Sequence, residues 1–474
     1  MKNPSLETNP RLSTWLGFER PGVVTIRMGK SELGQGVRTA IAQVVADTLS
    51  IDFSRITVVP PTTHHGPDEG FTAGSMSVPH SASAFQAVAA QVRGLFEAAA
   101  TARFGETPTR IQDGTFLHGD QTLTYWQLLD DVDLHVDHLQ VDLPVDTHAA
   151  PNAAPNAAPN AAPNPDRPRD AHRDDQQRVI GTSRPSLDLD AKILGQPAFI
   201  TDLRMPGMVF GRVIRPPFTG ALLASVDETK LEGQAGLRAV VRDGQYLAVI
   251  ADTEIHCREA ARTLTDAATW QGSGATLTHD DVVTFLADAP SDDTVLTDDD
   301  QQGGHSMTAR YSRPFIAHAS IGTSCAIGQV NGDHLEVWSH TQGVYPLRHD
   351  LARALNKRED DVTVNHVPGA GCYGHNGADD AAFDAAFLAT HMPGTPVHVT
   401  WTREQELGWA PFGPAMVVDI ATSLDQDDQI TQWSWDGYGN GHSSRPSTLS
   451  SPSLLGYSLL TNGEPIPEIG RAHV

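Results

Sequence analysis

Between Ala149 and Pro165 the chain repeats Pro-Asn-Ala-Ala in tandem, and no other stretch restricts the fold as firmly. A proline every fourth residue fixes φ and removes donors that helices and sheets need, so the segment cannot enter a packed core. It reads as an extended, partly stiff spacer, and the charged Asp-Arg-Pro-Arg-Asp run that follows stays solvated. An N-terminal domain (1–148) must therefore fold apart from whatever follows the linker (149–186). The length of 474 residues allows roughly three domains, each able to bury a core. A second boundary falls at an acidic, low-complexity stretch (276–308), which separates a compact α+β module (187–275) from a third region of alternating strands and helices (309–474).

Three stretches share one local design, strand or loop, then small residues, then helix. Val362–Val367 reads as a strand, Gly369–Gly377 as a loop with glycines at 369, 371, 374 and 377, and Asp379-Asp380 opens an alanine-rich helix. Near the N-terminus, Val23–Ile26 leads through Gly29-Lys-Ser-Glu-Leu-Gly-Gln-Gly36 into a helix whose Val37, Ile41, Val45 and Leu49 share a face. Glu69–Ser77 precedes a third helix, with Phe85, Val88, Val92 and Phe96 on one side. Free amides ahead of a helix suit a ligand with phosphates and many hydrogen-bonding edges. A single such loop can be no more than a hard turn, but three of one design point to a ligand. Gly369-x-Gly371-x-x-Gly374 also matches the Rossmann fingerprint in form. Its helix starts too late, though, and Asp379 and Asp380 would repel a pyrophosphate there, so NAD binding is a minor alternative.

Bulk properties exclude several classes. A formal charge of −25 opposes binding to nucleic acid or anionic membrane. No apolar run is long enough to span a bilayer and the first residues lack a signal-peptide pattern, so a cytoplasmic location is expected, with export alongside a partner subunit as the alternative. Cys257, Cys325 and Cys372 are too few and too dispersed for a disulfide framework or an iron–sulfur cluster. Any redox chemistry must borrow its electron path from another chain.

The motifs together resemble those of the molybdenum-cofactor-binding large subunits of the xanthine dehydrogenase and aldehyde oxidase family, most closely the isoquinoline 1-oxidoreductase beta-subunit type. The resemblance rests on Gly29-Lys-x-Glu-Leu-Gly-Gln-Gly36, Thr72-Ala-Gly-Ser-Met-Ser77, Asp202–Met208, His318–Cys325, Trp338–Arg348, Gly369–Asp380 and Gly413–Met416. It implies an α/β (α+β) fold of molybdopterin-binding domains with an α/β hammerhead domain at 187–275. It also implies that Gly34, Gln35, Gly36, Thr72, Ala73, Gly74, Ser75, Met76, Gln342, Gly343, Gly369, Ala370, Gly371, Cys372, Tyr373, Gly374 and His375 cradle a molybdopterin dinucleotide, expected in its cytosine form. Gln342 would place its amide near the metal's oxo group. No side chain here need ligate the metal. The implied activity is hydroxylation of a small molecule with water as oxygen source, the electrons leaving to a small [2Fe–2S] subunit.

Departures from the family pattern bear on the substrate. Ile-Gly-Thr and Cys-Tyr-Gly-His-Asn stand where xanthine-type relatives carry Met-Glu-Pro and Gly-Gly-Phe-Gly-Gly-Lys-Glu, which disfavours a purine and leaves an N-heteroaromatic or an aldehyde. Asn376 is a candidate substrate contact, or else a surface loop amide. The family's catalytic Glu, in a Gly-Val-Gly-Glu-like segment, has no counterpart here and is expected beyond Val474. Ile469-Gly-Arg-Ala-His-Val474 is what a common sequencing adapter encodes in one frame, so the expectation is a C-terminally truncated chain, inactive alone. The competing reading from another class is a non-catalytic assembly or binding protein of the same fold.

Overall fold

The computed structural model describes residues 3–138, 179–274, 279–289, 294–296, 307–441, 445–447 and 449–463, so the Pro-Asn-Ala-Ala linker and much of the acidic stretch lie outside the described residues. Two compact units emerge. The first comprises Met1–Leu203, His340–Arg348 and Thr363–Pro368; the second comprises Arg204–Ser339, His349–Val362 and Gly369–Val474.

In the first unit, β1 (Leu16–Arg20) pairs antiparallel with β2 (Val23–Arg27), and β2 pairs in parallel with β3 (Ile56–Val59). The connection from β2 to β3 carries α1 (Val37–Leu49), whose Val37, Ile41, Val45 and Leu49 are buried as their spacing requires. Gly36 (φ +76°) and Ser50 (φ +53°) bound it in left-handed conformation, which breaks the helical hydrogen-bond run at both ends. A wide turn at Ser77–Ala82 leads into α2 (Ser83–Phe104), which buries Phe85, Val88, Val92 and Phe96 and stops at Gly105. Burying these four side chains is worth on the order of 6–12 kcal/mol before chain entropy is counted. Trp15 meets Phe85 edge to face at 4.9 Å. A three-stranded meander follows, β4 (Arg110–Gln112), β5 (Thr115–His118) and β6 (Gln121–Thr124). The fully buried Tyr125 beyond it donates to the Leu49 carbonyl at 2.9 Å.

In the second unit, β7 (Val209–Ile214), β8 (Leu237–Asp243) and β9 (Tyr246–Ala251) are followed by α3 (Glu254–Ala267), capped by the Thr253 hydroxyl on the His256 amide. Further on come β10 (Met307–Arg313), β11 (Cys325–Asn331), β12 (His334–Ser339), α4 (Ala378–Thr390), β13 (Val397–Thr400), β14 (Met416–Leu424) and β15 (Ile430–Gly439). Six strands of one seven-stranded mixed sheet run in the order β12-β11-β13-β7-β9-β8. These strands are antiparallel except at β13 and β7, where Val397 faces Val209 in parallel register. The strands of the stretch expected as a separate module thus continue into strands of the third region. Helix α4 covers this sheet and is buried on every side from Ala378 to Ala389, as its alanines allow. A second sheet, β10-β14-β15, leaves Tyr311, Trp433 and Trp435 at least half exposed. No helix among the described residues is long and apolar enough to cross a membrane.

Candidate functional site

Three of the four expected cofactor segments, Gly34–Gly36, Thr72–Met76 and Gln342–Gly343, belong to the first unit, where hydrogen bonds tie them together. The motif Gly29–Gly36 turns its polar side chains inward. Buried Lys30 donates from Nζ to the carbonyls of Glu69 (2.6 Å) and Phe71 (2.9 Å), which shapes the chain leading to Thr72. Burial pushes the Lys30 ammonium down, against the pull of Glu69 and Asp68. The Ser31 hydroxyl donates to the Thr341 carbonyl (3.0 Å) and its amide to the Thr72 hydroxyl (2.8 Å). Gln35 spends its side chain inside its own loop, donating to the Ser31 carbonyl and accepting from the Leu33 amide.

Gln342 is buried and locked to Thr72 twice. Its Nε2 donates to the Thr72 carbonyl at 3.0 Å, and its own carbonyl accepts from the Thr72 amide at 2.8 Å. Gly343 lies so close to Phe71 that a Cβ there would meet the ring at 2.9 Å, so glycine is required by the contact. The His366 ring lies between the Thr341 carbonyl (3.0 Å from Nδ1) and the Glu32 carbonyl (3.2 Å from Nε2), and as a neutral imidazole it donates to one of the two. Burial pulls its pKa down to about 4 and that of the adjacent, fully buried His340 to about 3.

The amides of the first loop are not free, contrary to the expectation from sequence. The buried Glu32 carboxylate accepts from the amides of Gly34 (2.9 Å), Gly36 (3.0 Å) and Arg38 (3.1 Å). What the loop offers outward is backbone without side chains. Gly34, Gly36 and Gly70 all have positive φ and nothing within 4 Å of a would-be Cβ, and Gly74 has only the Met76 side chain at 3.8 Å. Ala73, Gly74, Ser75 and Met76 are exposed. Such a strip admits a planar, polar group to van der Waals contact with the main chain, so the residues present fit a pterin better than they fit a phosphate at the start of α1.

The fourth segment belongs to the second unit. Its Gly371 (φ +110°) and Gly374 (φ +149°) hold conformations that favour glycine, and a Cβ on Gly374 would collide with the His318 ring. The Ala370 carbonyl accepts from the Gly322 amide at 2.7 Å, and the Cys372 thiol donates to the Gly374 carbonyl at 3.2 Å. Burial raises the Cys372 thiol pKa, so the group is a structural donor and not a ready nucleophile. Tyr373 is exposed and His375 lies 4.0 Å from the Asp379 carboxylate. Asn376 is neither exposed nor a surface amide: it is buried, and its Oδ1 accepts from the Ala378 amide at 3.2 Å, the first amide of α4.

Sequence reasoning missed Lys30, Glu32, Thr341 and His366, which organise the first unit's loops. The one signal was a carboxylate two residues before a Gly-x-Gly turn, which is chemistry complementary to the turn's own amides. A cavity of about 330 Å³ in the second unit, lined by Thr308, Arg310, Asp419, Ser434 and Asp436, contains none of the expected site residues.

Residues 3–161 and 298–460 each match a family model described as molybdopterin cofactor-binding domain. A nicotinate dehydrogenase subunit of Pseudomonas putida is 31% identical over 478 residues, covering 97% of this chain and 37% of that protein. The beta subunit of isoquinoline 1-oxidoreductase from Brevundimonas diminuta is 24% identical over 453 residues, covering 88% of this chain and 57% of that protein. Among solved structures, quinoline 2-oxidoreductase from Pseudomonas putida 86 aligns with a TM-score of 0.45 and 17% identity, over 54% of this chain and 39% of that one. The chain thus spans 37% and 57% of the lengths of the two curated relatives.

Proposed function

Because the chain belongs to the molybdopterin-binding large subunits of the xanthine dehydrogenase family, we propose that it binds the pterin cofactor within a molybdenum hydroxylase acting on an N-heteroaromatic compound or an aldehyde. The carrying observation is the set of positive-φ glycines Gly34, Gly36, Gly70 and Gly74, each with open space or only the Met76 side chain where a Cβ would sit, in loops joined by the Ser31 amide on the Thr72 hydroxyl. When bound, the cofactor would supply a redox-active metal held by its own dithiolene sulfurs, which accounts for hydroxylation with oxygen taken from water. The residues of this chain bind and orient. Gly34, Gln35, Gly36, Thr72–Met76, Gln342 and Gly343 would hold the cofactor in the first unit, and Gly369–His375 is the corresponding segment of the second. Buried, neutral His366 lies between the Glu32 and Thr341 carbonyls and can donate its single N–H to one of them, tying its strand to that loop.

An N-heteroaromatic is favoured as substrate over an aldehyde because the two relatives above are named for nicotinate and isoquinoline. Electrons would pass to a [2Fe–2S] partner, and the dinucleotide is expected to carry cytosine. The 187–275 stretch would be the hammerhead part. No residue among these 474 is assigned the role of base.

The test is metal and pterin content after expression in a host that makes the cytosine dinucleotide. Co-purification of molybdenum with an organic pterin, and release of cytidine monophosphate on hydrolysis, is the expected result. A folded preparation carrying neither would sink the proposal. With cofactor and partner present, nicotinate and isoquinoline should reduce an artificial acceptor faster than xanthine does.

A further inference from the structure

The amides that open α1 form a nest: Gly34 (φ +101°) and Gly36 (φ +76°) turn successive N–H groups to one side, the arrangement that binds phosphate in many proteins. In this chain the nest already holds an anion. Glu32, 4% exposed, places its Oε1 on the amides of Gly34 (2.9 Å) and Gly36 (3.0 Å) and its Oε2 on that of Arg38 (3.1 Å). Its backbone carbonyl lies 3.2 Å from the His366 ring. Charge-assisted bonds of this kind are about twice as strong as neutral ones, and three converge here.

We propose that Glu32 is the positioning residue of this loop, an internal anion that fills the phosphate nest and holds the Gly34–Gly36 backbone so that its outward edge meets the ligand. Phosphates of a dinucleotide are therefore not bound by the amides at the start of α1. That the outward edge meets a ligand rests on the cofactor reading given above, whereas the filling of the nest stands on this geometry alone.

Hydrogen exchange and anion rescue test it on the 474-residue chain without cofactor. In the wild-type protein the amides of Gly34, Gly36 and Arg38 should exchange at least roughly tenfold more slowly than in Glu32→Gln, because loss of the charge weakens all three bonds. Phosphate or acetate should leave the wild-type unfolding temperature where matched chloride leaves it. Glu32→Ala should unfold a few degrees lower, and acetate or phosphate should restore part of the loss saturably by taking the vacated place. If Glu32→Ala does not fold, the exchange comparison with Glu32→Gln decides by itself. Rapid exchange at the three amides in the wild-type protein, or phosphate stabilising wild type as much as Glu32→Ala, would overturn the proposal. Pterin content separates the two readings. If the nest is filled but Glu32→Gln retains full pterin, the assignment of Glu32 as a positioning residue for the cofactor fails. A several-fold drop in pterin with the fold retained supports it.

Discussion

Arg215 and Asp384 meet inside the second unit with 2% and 0% of their side chains exposed. The carboxylate also accepts from the Trp401 indole (3.0 Å) and the Tyr246 hydroxyl (3.3 Å), and the guanidinium lies 5.2 Å from the centre of the Trp401 ring. Burial pushes the Asp384 carboxyl up to about 6, against the pull of Arg215. Taking two charges out of water leaves such a pair near break-even against an apolar pair, whereas removing one partner strands the other. Arg215→Met is therefore expected to cost about 3–5 kcal/mol, and Arg215→Met combined with Asp384→Leu should regain most of it. Urea unfolding of the two variants checks this, and equal losses in the single and the double variant would contradict it. Nothing in the sequence announced the pair. The partners are 169 positions apart, and an aspartate inside an alanine-rich helix reads like a solvated one.

Among the elements, α4 shows why burial and periodicity are different kinds of information. Helix α1 declared itself by its apolar spacing because one of its faces is wet, but α4 is buried all round and has no contrast to detect. It sits so close to the sheet that a Cβ on Gly328 would approach the Ala385 carbonyl oxygen to 2.5 Å. Gly328→Ala must push backbone from backbone and is expected to destabilise by about 1–3 kcal/mol. Gly94, in the interior of α2, has nothing within 4 Å of a would-be Cβ, so Gly94→Ala should stabilise by about 0.5–1 kcal/mol through helix propensity. Paired thermal melts would show opposite shifts; a stabilised Gly328→Ala would mean that α4 can lift from its strand at little cost. The glycine loops were legible as loops, since closely spaced glycines disfavour every regular element, but which amides they leave open was not.

For the molecule as a whole, pH dependence follows from histidines buried neutral. Burial depresses His340 to about 3 and His366 to about 4 in the first unit, and His398 to about 4 in the second, against an ordinary value near 6.5. An unfolded chain takes up protons at these sites as pH falls below 6.5 and the folded chain does not, so their stabilising contribution is complete above that pH and is lost down toward 4. Asp384 acts in the opposite sense, its folded form holding a proton that the unfolded chain has released between about 4 and about 6, so its contribution is lost as pH rises through 6. Burial also lowers His138 and raises Glu69, Asp350 and Glu406, so the histidine limb between about pH 6.5 and about 4 is read through single substitutions. His398→Gln should make that limb shallower in urea titrations at stepped pH, and an unchanged slope would show that His398 titrates alike in both states.

The sequence by itself determined helices such as α1 and α2 and which segments carry the glycine-rich loops, because these depend on residues within a few turns of one another, and it determined the family through the order of its motifs along the chain. The tertiary structure alone decided that residues 340–348 and 363–368 join the first unit, that the strands at 209–251 continue into the sheet of the third region, and that Glu32 fills the nest its own loop creates. The first two depend on which distant segments are brought within hydrogen-bonding reach once water is excluded, which no spacing along the chain encodes; the third is local, but the side-chain direction that seats the carboxylate on the amides is set only in the folded loop.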